Sequence, residues 1–337
     1  MRVIISGGVI DAAGSTSDVW KLHRLLTLAC EGRHAVLVDS PESLKAWLDT
    51  IDFVTKSTYT SALDFCARQA VTFPDDVATI HILPTMTSSW ADPLAKLTLD
   101  DALAVLTEPL GILLENAEND WHFLCGIMRP SERERIKRAV NKSWVEPVHG
   151  GGSTLINQLT YRTTIPAKGL RTFVVFDSDR LHPDEFAVTW TPNRPGKNPV
   201  ACQAFDWEKV VQQQLPQRYW MLRRRFIESY MPQNELSTAA SQNANPNAVA
   251  AFTRLSKAGR WYFNMKKGFA SDENRHDKER CGDLYTHVDS IDRDALKNGF
   301  GTNFADHYKS AITHDFNWDD DAREEAERAL PKLMRLL

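Results

Sequence analysis

Two short apolar segments each run straight into a carboxylate, and this constrains the fold more than any other feature of the chain. Gly111-Ile112-Leu113-Leu114 ends at Glu115, and Arg171 to Phe176 ends in Asp177-Ser178-Asp179-Arg180. Short apolar runs bounded by polar turns read as buried strands. Between them, Trp144 to Val148 predicts a further strand, closed by His149-Gly150-Gly151-Gly152. Helical patterns fill the gaps, from about Glu118 to Met128, from Ser131 to about Val140, and after a cap at Ser153 and Thr154. Strand, helix, strand, helix, strand predicts an α/β fold, a parallel sheet with crossover helices. Functional groups in such sheets collect at the carboxyl ends of the strands, and that is where these acids fall.

The rest of the chain divides around this segment. A length of 337 residues suggests about two domains at roughly 150 residues each. Residues 1–105 read as an N-terminal α/β lead-in without a chemical motif, a surface for a partner or for dimerisation. Its expected strands are Val3 to Ser6, Ala35 to Val38 and Ala78 to Leu83. Its expected helices are Asp18 to Cys30, one opening at Pro41 behind a Ser40 cap, Ala62 to Ala70, and Leu99 to about Leu106. Residues 106–235 form the expected catalytic domain. Residues 236–250, LSTAASQNANPNAVA, are small and polar and predict a linker or exposed loop. Residues 251–337 predict a helical region with aromatic anchors at Trp261, Tyr262 and Phe263 and a last helix capped by Asp319-Asp320-Asp321.

Composition narrows the function classes. Lys plus Arg is 40 against 44 for Asp plus Glu, a formal charge of −4, with 42% hydrophobic and 25% charged residues. A disordered chain needs lower hydrophobicity and higher net charge. Contact with nucleic acid must therefore come through a local basic patch or a metal, not bulk charge. No apolar run approaches the roughly 18 residues of a membrane helix. The opening MRVIISGGVIDAAG reads as a first strand and turn, not a signal peptide. Cys30, Cys66, Cys125, Cys202 and Cys281 are dispersed with no CxxC, so free thiols in a reducing cytoplasm are expected and a zinc cluster is not.

The chemistry follows from the carboxylates. Acids two apart on an extended strand end project to one side. With Glu115 beside them, Asp177 and Asp179 repel unless a cation intervenes. Mg²⁺ takes a few carboxylates together with waters and substrate phosphates, and a pair of such ions suits phosphodiester cleavage. One or two Mg²⁺ or Mn²⁺ ions are the expected cofactor. Gly150, Gly151 and Gly152 before Ser153 let backbone N–H groups approach a phosphate; a tight strand-to-helix turn explains them equally well. Arg218, Arg223, Arg224 and Arg225 are the densest basic group, with Tyr219, Trp220 and Phe226 interleaved. With Arg180 they are candidate phosphate contacts, in competition with a solvated helix face. An HGGG esterase reading needs a GxSxG elbow, which is missing. No GxxxxGK followed by Ser or Thr occurs, so the chain carries no P-loop ATPase.

In order, ILLENAENDWHFL, EPVHGGGST and TFVVFDSDR resemble the motifs of Toprim domains. The later RYWMLRRRFIESYMP resembles the segment after the DxD in Toprim nucleases of the OLD (overcoming lysogenization defect) type. The resemblance covers about residues 108–270. It implies a Toprim-like parallel sheet and a metal-dependent nuclease acting on DNA or RNA, often in bacterial defence against phage and often with an ATPase. It implies Glu115 as general base and metal-site glutamate, and Asp177 and Asp179 as metal ligands. Glu228 is implied as a holder of a second metal, and Lys266 or Lys267 as the lysine near the scissile phosphate. Asn116 stands where the family usually has Gly. Asn119 stands where it often has an acid, with Asp120 one further and Glu118 one earlier. A separate ATPase or sensor subunit is the expected partner, and a homodimer is implied. Two other readings compete. One is a Toprim-like binding subunit without catalysis, motivated by Asn116 and Asp120. The other is a nucleotide-sugar glycosyltransferase, whose strand-DxD FVVFDSDR also resembles. A HAD-type phosphatase fits poorly, because Leu181 stands where Thr or Val belongs.

Overall fold

Eight short strands form two parallel sheets in the computed structural model, which describes residues 1–73, 77–91, 93–151, 154–192, 202–240 and 246–337. The first sheet contains β1 (Arg2–Ile5), β2 (Ala35–Val38), β3 (Thr79–Ile82) and β4 (Leu94–Leu97), in the order β2-β1-β3-β4. The second contains β5 (Leu110–Leu114), β6 (Val145–His149), β7 (Thr172–Phe176) and β8 (Tyr219–Met221), in the order β6-β5-β7-β8. Every pairing within the two sheets is parallel. This is the α/β architecture expected, with helices covering the sheets.

The second sheet explains its own sequence. All five residues of β5 and all five of β7 are buried, because a parallel sheet is covered on both faces. Ile112, Leu114, Phe173 and Val175 face a large core that runs through both sheets and the C-terminal helices. Leu113, Val174 and Phe176 face a smaller core under the helices Leu155–Thr164 and Gln203–Gln214, which contribute Leu155, Leu159, Trp207 and Val211. Leu114 aligns with His149 on one side and Val175 on the other. Glu115 and Asp177 therefore leave adjacent strands at the same edge.

Helix starts follow side-chain capping. Ser40, Asp52, Thr98, Asn274 and Asp319 each accept a hydrogen bond from the backbone N–H three residues on, which satisfies a donor the helix cannot. Behind the site, Phe123 is ringed by Trp220, Tyr230, Tyr308 and Trp318 at centroid distances of 5.2–5.9 Å. These aromatic side chains fix the helix Asn119–Ile127 against the C-terminal region.

Several expectations need correction. The chain after β1 enters the helix Gly7–Gly14, where the sequence predicts only a turn; Asp39 Oδ1 accepts from the Gly7 N–H at 2.7 Å. The helix expected over 62–70 begins earlier, as Phe53–Ala70. The basic run from Arg218 to Arg225 is not a helix: it is the edge strand β8 followed by irregular chain. Residues 236–250 are not simply a linker. Leu236–Ala240 and Ala248–Arg254 are helical, with Leu236, Ala240 and Ala248 buried, because the small apolar residues fit against the core; residues 241–245 lie outside the described residues. No helix among the described residues is long and apolar enough to cross a membrane.

Candidate active site

The acids assemble at the carboxyl ends of β5 and β7. Glu115 Oε1 accepts from the backbone N–H of Asp177 at 2.8 Å, which ties the two strand ends together. Asp177 Oδ1 accepts from the N–H of Ile227 at 3.0 Å. The loop after Glu115 then folds on itself. Asn116 Oδ1 accepts from the N–H groups of Glu118 and Asn119, and Asp120 Oδ2 accepts from the Asn116 N–H at 2.8 Å. Asp120 is thereby buried and turned back toward the strand ends. Asn119 points elsewhere, to Asp306 Oδ1 at 3.1 Å. Glu228 enters on the 3-10 turn Ile227–Tyr230 and is 0% exposed. Its Oε1 lies 2.9 Å from Lys266 Nζ, and its Oε2 has no hydrogen-bond partner among the described residues.

The electrostatics are those of a site short of positive charge. Burial pushes the Glu115 carboxyl up to about 8, helped by the charges of Asp179 and Asp120. Burial likewise pushes Asp120 up to about 7, with Glu228 adding to it. Asp177 is raised well above the usual carboxylate range by burial, then by Glu115, Asp120 and Glu228. Asp179 is raised by burial although Arg225, Arg280 and Lys266 oppose it. Burial works against the Lys266 ammonium, yet Glu228, Asp177 and Asp120 together raise it. One ammonium cannot balance this set, so protons or a cation must.

No family model, curated protein or solved structure matches this chain.

Whether the residues fit a divalent ion is decided by donor chemistry. Among the described residues, no three His, Cys, Asp or Glu side chains already stand in a metal-coordinating arrangement. One oxygen each of Glu115, Asp120 and Asp177 is held by a backbone N–H. The set nonetheless supplies hard carboxylate oxygens only, with the buried Glu228 Oε2 unpaired. Such a set suits Mg²⁺ or Mn²⁺ and not zinc.

Asp179 is held in a left-handed conformation, with φ of +52°. A non-glycine residue there costs of the order of 1–3 kcal/mol and persists only when its surroundings over-determine it. The surroundings are explicit. The Asp179 N–H donates to Arg225 O at 3.3 Å, and Arg280 Nη2 donates to Asp179 O at 2.8 Å. Arg280 is locked on Glu185 by two bonds of 2.9 Å, and Arg225 on Asp272 by bonds of 2.6 and 2.8 Å. Ser178 Oγ donates to Arg224 O at 2.9 Å. Tyr230 OH accepts from the N–H groups of Arg223 and Arg224 and donates to Glu325 Oε2 at 2.8 Å. Sequence reasoning misses Glu185, Asp272, Arg280, Tyr230 and Glu325. Only Tyr230, two residues from Glu228, carries a positional hint.

Four of the five candidate arginines are corrected from phosphate contacts to internal struts. Arg180 is buried on Glu208 at 3.0 Å, between Trp190 and Phe205. Arg218 is buried and donates to Gly169 O at 2.7 Å. Arg224 is buried against Asp319 and donates to Ser229 O at 2.9 Å. Arg225 is buried on Asp272. Burial leaves these guanidinium groups little water, so each must find an internal acceptor. Arg223 alone of the five is exposed.

The glycine turn is also corrected. The Gly150 N–H donates to Leu114 O at 2.6 Å, and the Gly151 N–H, at φ of +62°, donates to Glu115 O at 3.2 Å. These donors are spent on holding β5 and are not open to a phosphate. Gly152 and Ser153 lie outside the described residues. His149 Nδ1 accepts from the Ala117 N–H at 3.2 Å, which clasps the loop after Glu115.

Of the two candidate lysines, Lys266 faces the acids and Lys267 is exposed. The turn that aims Lys266 depends on Gly268, at φ of +63°. A Cβ there would collide with the backbone of Leu296 and Gly299. Gly268→Ala is expected to destabilise the chain by about 2–4 kcal/mol, through strain and overpacking together. Thermal unfolding checks this; an unchanged Tm would contradict the packing.

Proposed function

We propose that this chain is a divalent-cation-dependent phosphodiester hydrolase, a nuclease of the Toprim type acting on DNA or RNA. The observation that carries the reading is the convergence of Glu115, Asp120, Asp177, Asp179 and Glu228 on one lysine at the carboxyl ends of two neighbouring strands. Asp177, Asp179, Asp120 and Glu228 are the residues to hold one or two Mg²⁺ or Mn²⁺ ions. A bound ion would neutralise the carboxylates and polarise a phosphoryl oxygen. Glu115 is anchored through Oε1 by the Asp177 N–H, which leaves Oε2 to accept a proton from an attacking water. Lys266 Nζ offsets negative charge as it develops on the phosphate. A separate ATPase or sensor subunit as controlling partner, and a role in defence against phage, belong to the same proposal.

The test is incubation of the full chain with plasmid DNA and with total RNA, in Mg²⁺ or Mn²⁺. Wild type is expected to cleave one polymer. Lys266→Met is expected to slow cleavage about 100-fold, and Lys267→Met to leave it within about threefold, as for a surface residue. Equal losses in the two variants would overturn the role given to Lys266. One observation favours a second reading, a Toprim-like binding subunit: backbone N–H groups already occupy an oxygen on each of Glu115, Asp120 and Asp177. Tight Mn²⁺ binding with no turnover of either polymer, with or without the ATPase partner, would select it.

A further inference from the structure

A second constellation lies at the opposite ends of the strands. A cavity of about 280 Å³ opens at the amino ends of β2 and β6, where His34 and Trp144 precede the two strands. Arg135, Arg138 and Lys142 reach it from the helix Pro130–Asn141 and its C-cap, and Arg33 from the facing wall. Residues three, four and seven apart share one helix face, so the three cations form a stripe along one side of the cavity. Glu31 is the one acidic side chain among its described lining residues. The guanidinium groups of Arg135 and Arg138 have no hydrogen-bond or ion-pair partner among the described residues.

A stripe of exposed cations on a helix is ordinarily a solvated face. Two buried groups lift this one above that. Arg33 is 9% exposed; its Nη2 donates to Thr107 O and Glu108 O, while its Nε has no partner. His34 is 2% exposed; its Nε2 is paired with Leu106 O at 3.0 Å, while its Nδ1 has no partner. Leaving a buried polar atom unpaired costs about 1–3 kcal/mol; both atoms lie just beneath the cavity wall without solvent access, so a ligand that draws either side chain toward it is favoured. Burial holds the His34 imidazole well below its ordinary value, so the ring is neutral. With Nε2 donating to a carbonyl, Nδ1 is a bare acceptor.

We propose that this cavity binds a nucleoside di- or triphosphate. The stripe from Arg135 to Lys142 spans about 10 Å at 1.5 Å per residue, too long for one phosphate and suited to a chain of two or three. Arginine forks and a lysine are the side chains that recognise such groups. Phe65, 53% exposed at the cavity, offers a face for the base, and Trp144 lines the same wall beneath the Lys142 ammonium at 4.3 Å. The site stands apart from the carboxylate edge and does not rest on the nuclease reading.

Calorimetric titration of the full chain in metal-free buffer tests it, with ATP, ADP, adenosine, inorganic pyrophosphate and a single-stranded oligonucleotide. ATP and ADP are expected to saturate one site, and adenosine to bind weakly or not at all. The exposed pair Arg135→Glu with Arg138→Glu is expected to weaken ADP about 100-fold, at about tenfold for each charged contact, with Tm unchanged. Arg33→Gln is expected to weaken ADP about tenfold. Absence of saturation by ATP and ADP, or binding indifferent to the charge reversals, would overturn the site. Pyrophosphate binding as tightly as ADP would overturn its nucleoside part. Binding of the oligonucleotide alone would make this face a nucleic-acid surface instead.

Discussion

Replacing Asp177 by Asn is expected to slow metal-dependent cleavage by at least about 1,000-fold while leaving the metal-free protein as stable as wild type or more stable. The two halves of this result have one cause. Asp177 is the acid most crowded by others, raised by burial and by Glu115, Asp120 and Glu228. Asparagine keeps an oxygen to accept from the Ile227 N–H, now at 3.0 Å from Oδ1, so the local fold has no reason to change. What disappears is a carboxyl that burial and its neighbours keep from ionising in the absence of a cation and that would help hold one in its presence. An acid kept for structure behaves in the opposite way, since removing one partner of a buried ion pair destabilises strongly. Asp272 on Arg225 is such an acid. Cleavage rates in Mg²⁺ or Mn²⁺ and unfolding in EDTA separate the cases. Wild-type cleavage by Asp177→Asn would remove this edge from the chemistry.

Part of this site is legible in the amino-acid sequence alone. β5 and β7 are covered on both faces, so they have to be continuous apolar runs, and their first polar residues have to mark the sheet edge. Glu115, Asp177 and Asp179 stand out for that reason. Asp120 stands out only as a displaced acid; the Asn116 turn that brings it back rests on side-chain hydrogen bonds that no periodicity reports. The arginines show what sequence does not reach. Their partners lie far along the chain, Glu208 at 28 residues from Arg180, Asp272 at 47 from Arg225 and Asp319 at 95 from Arg224. A basic run looks the same whether solvent or distant carboxylates receive it. β8, with three residues, is too short to show alternation. The glycine turn is open in sequence between anion binding and tight geometry because both need the same residues. Only the acceptors at Leu114 and Glu115 separate the two.

Stability of the metal-free chain should fall as pH rises through the neutral range, and Mg²⁺ should restore it most at the alkaline end. Unfolded Glu115 and Asp120 release their protons near 4.5 and 3.8; folded, they hold them up to about 8 and about 7. Between those limits the folded state binds more protons than the unfolded one, so stability declines with pH. The contribution of these acids is complete below about pH 4 and is lost as pH passes about 8. His34 and the Met1 ammonium, both buried and held well below their ordinary values of 6.5 and 8.0, act in the other sense, so the decline due to the acids is read against a variant that lacks only the Glu115 charge. Glu115→Gln isolates the cluster, because its amide oxygen still accepts from the Asp177 N–H. The Tm of wild type should fall more steeply as pH rises toward about 8 than the Tm of this variant. A cation takes the place of the protons, so saturating Mg²⁺ should raise the wild-type Tm by at least about 3 °C more at pH 8 than at pH 6, roughly 1 kcal/mol or more in a chain of this size. A Mg²⁺ effect that is flat across this range, or greater at the acid end, would mean that the carboxylates do not act together as a cation site.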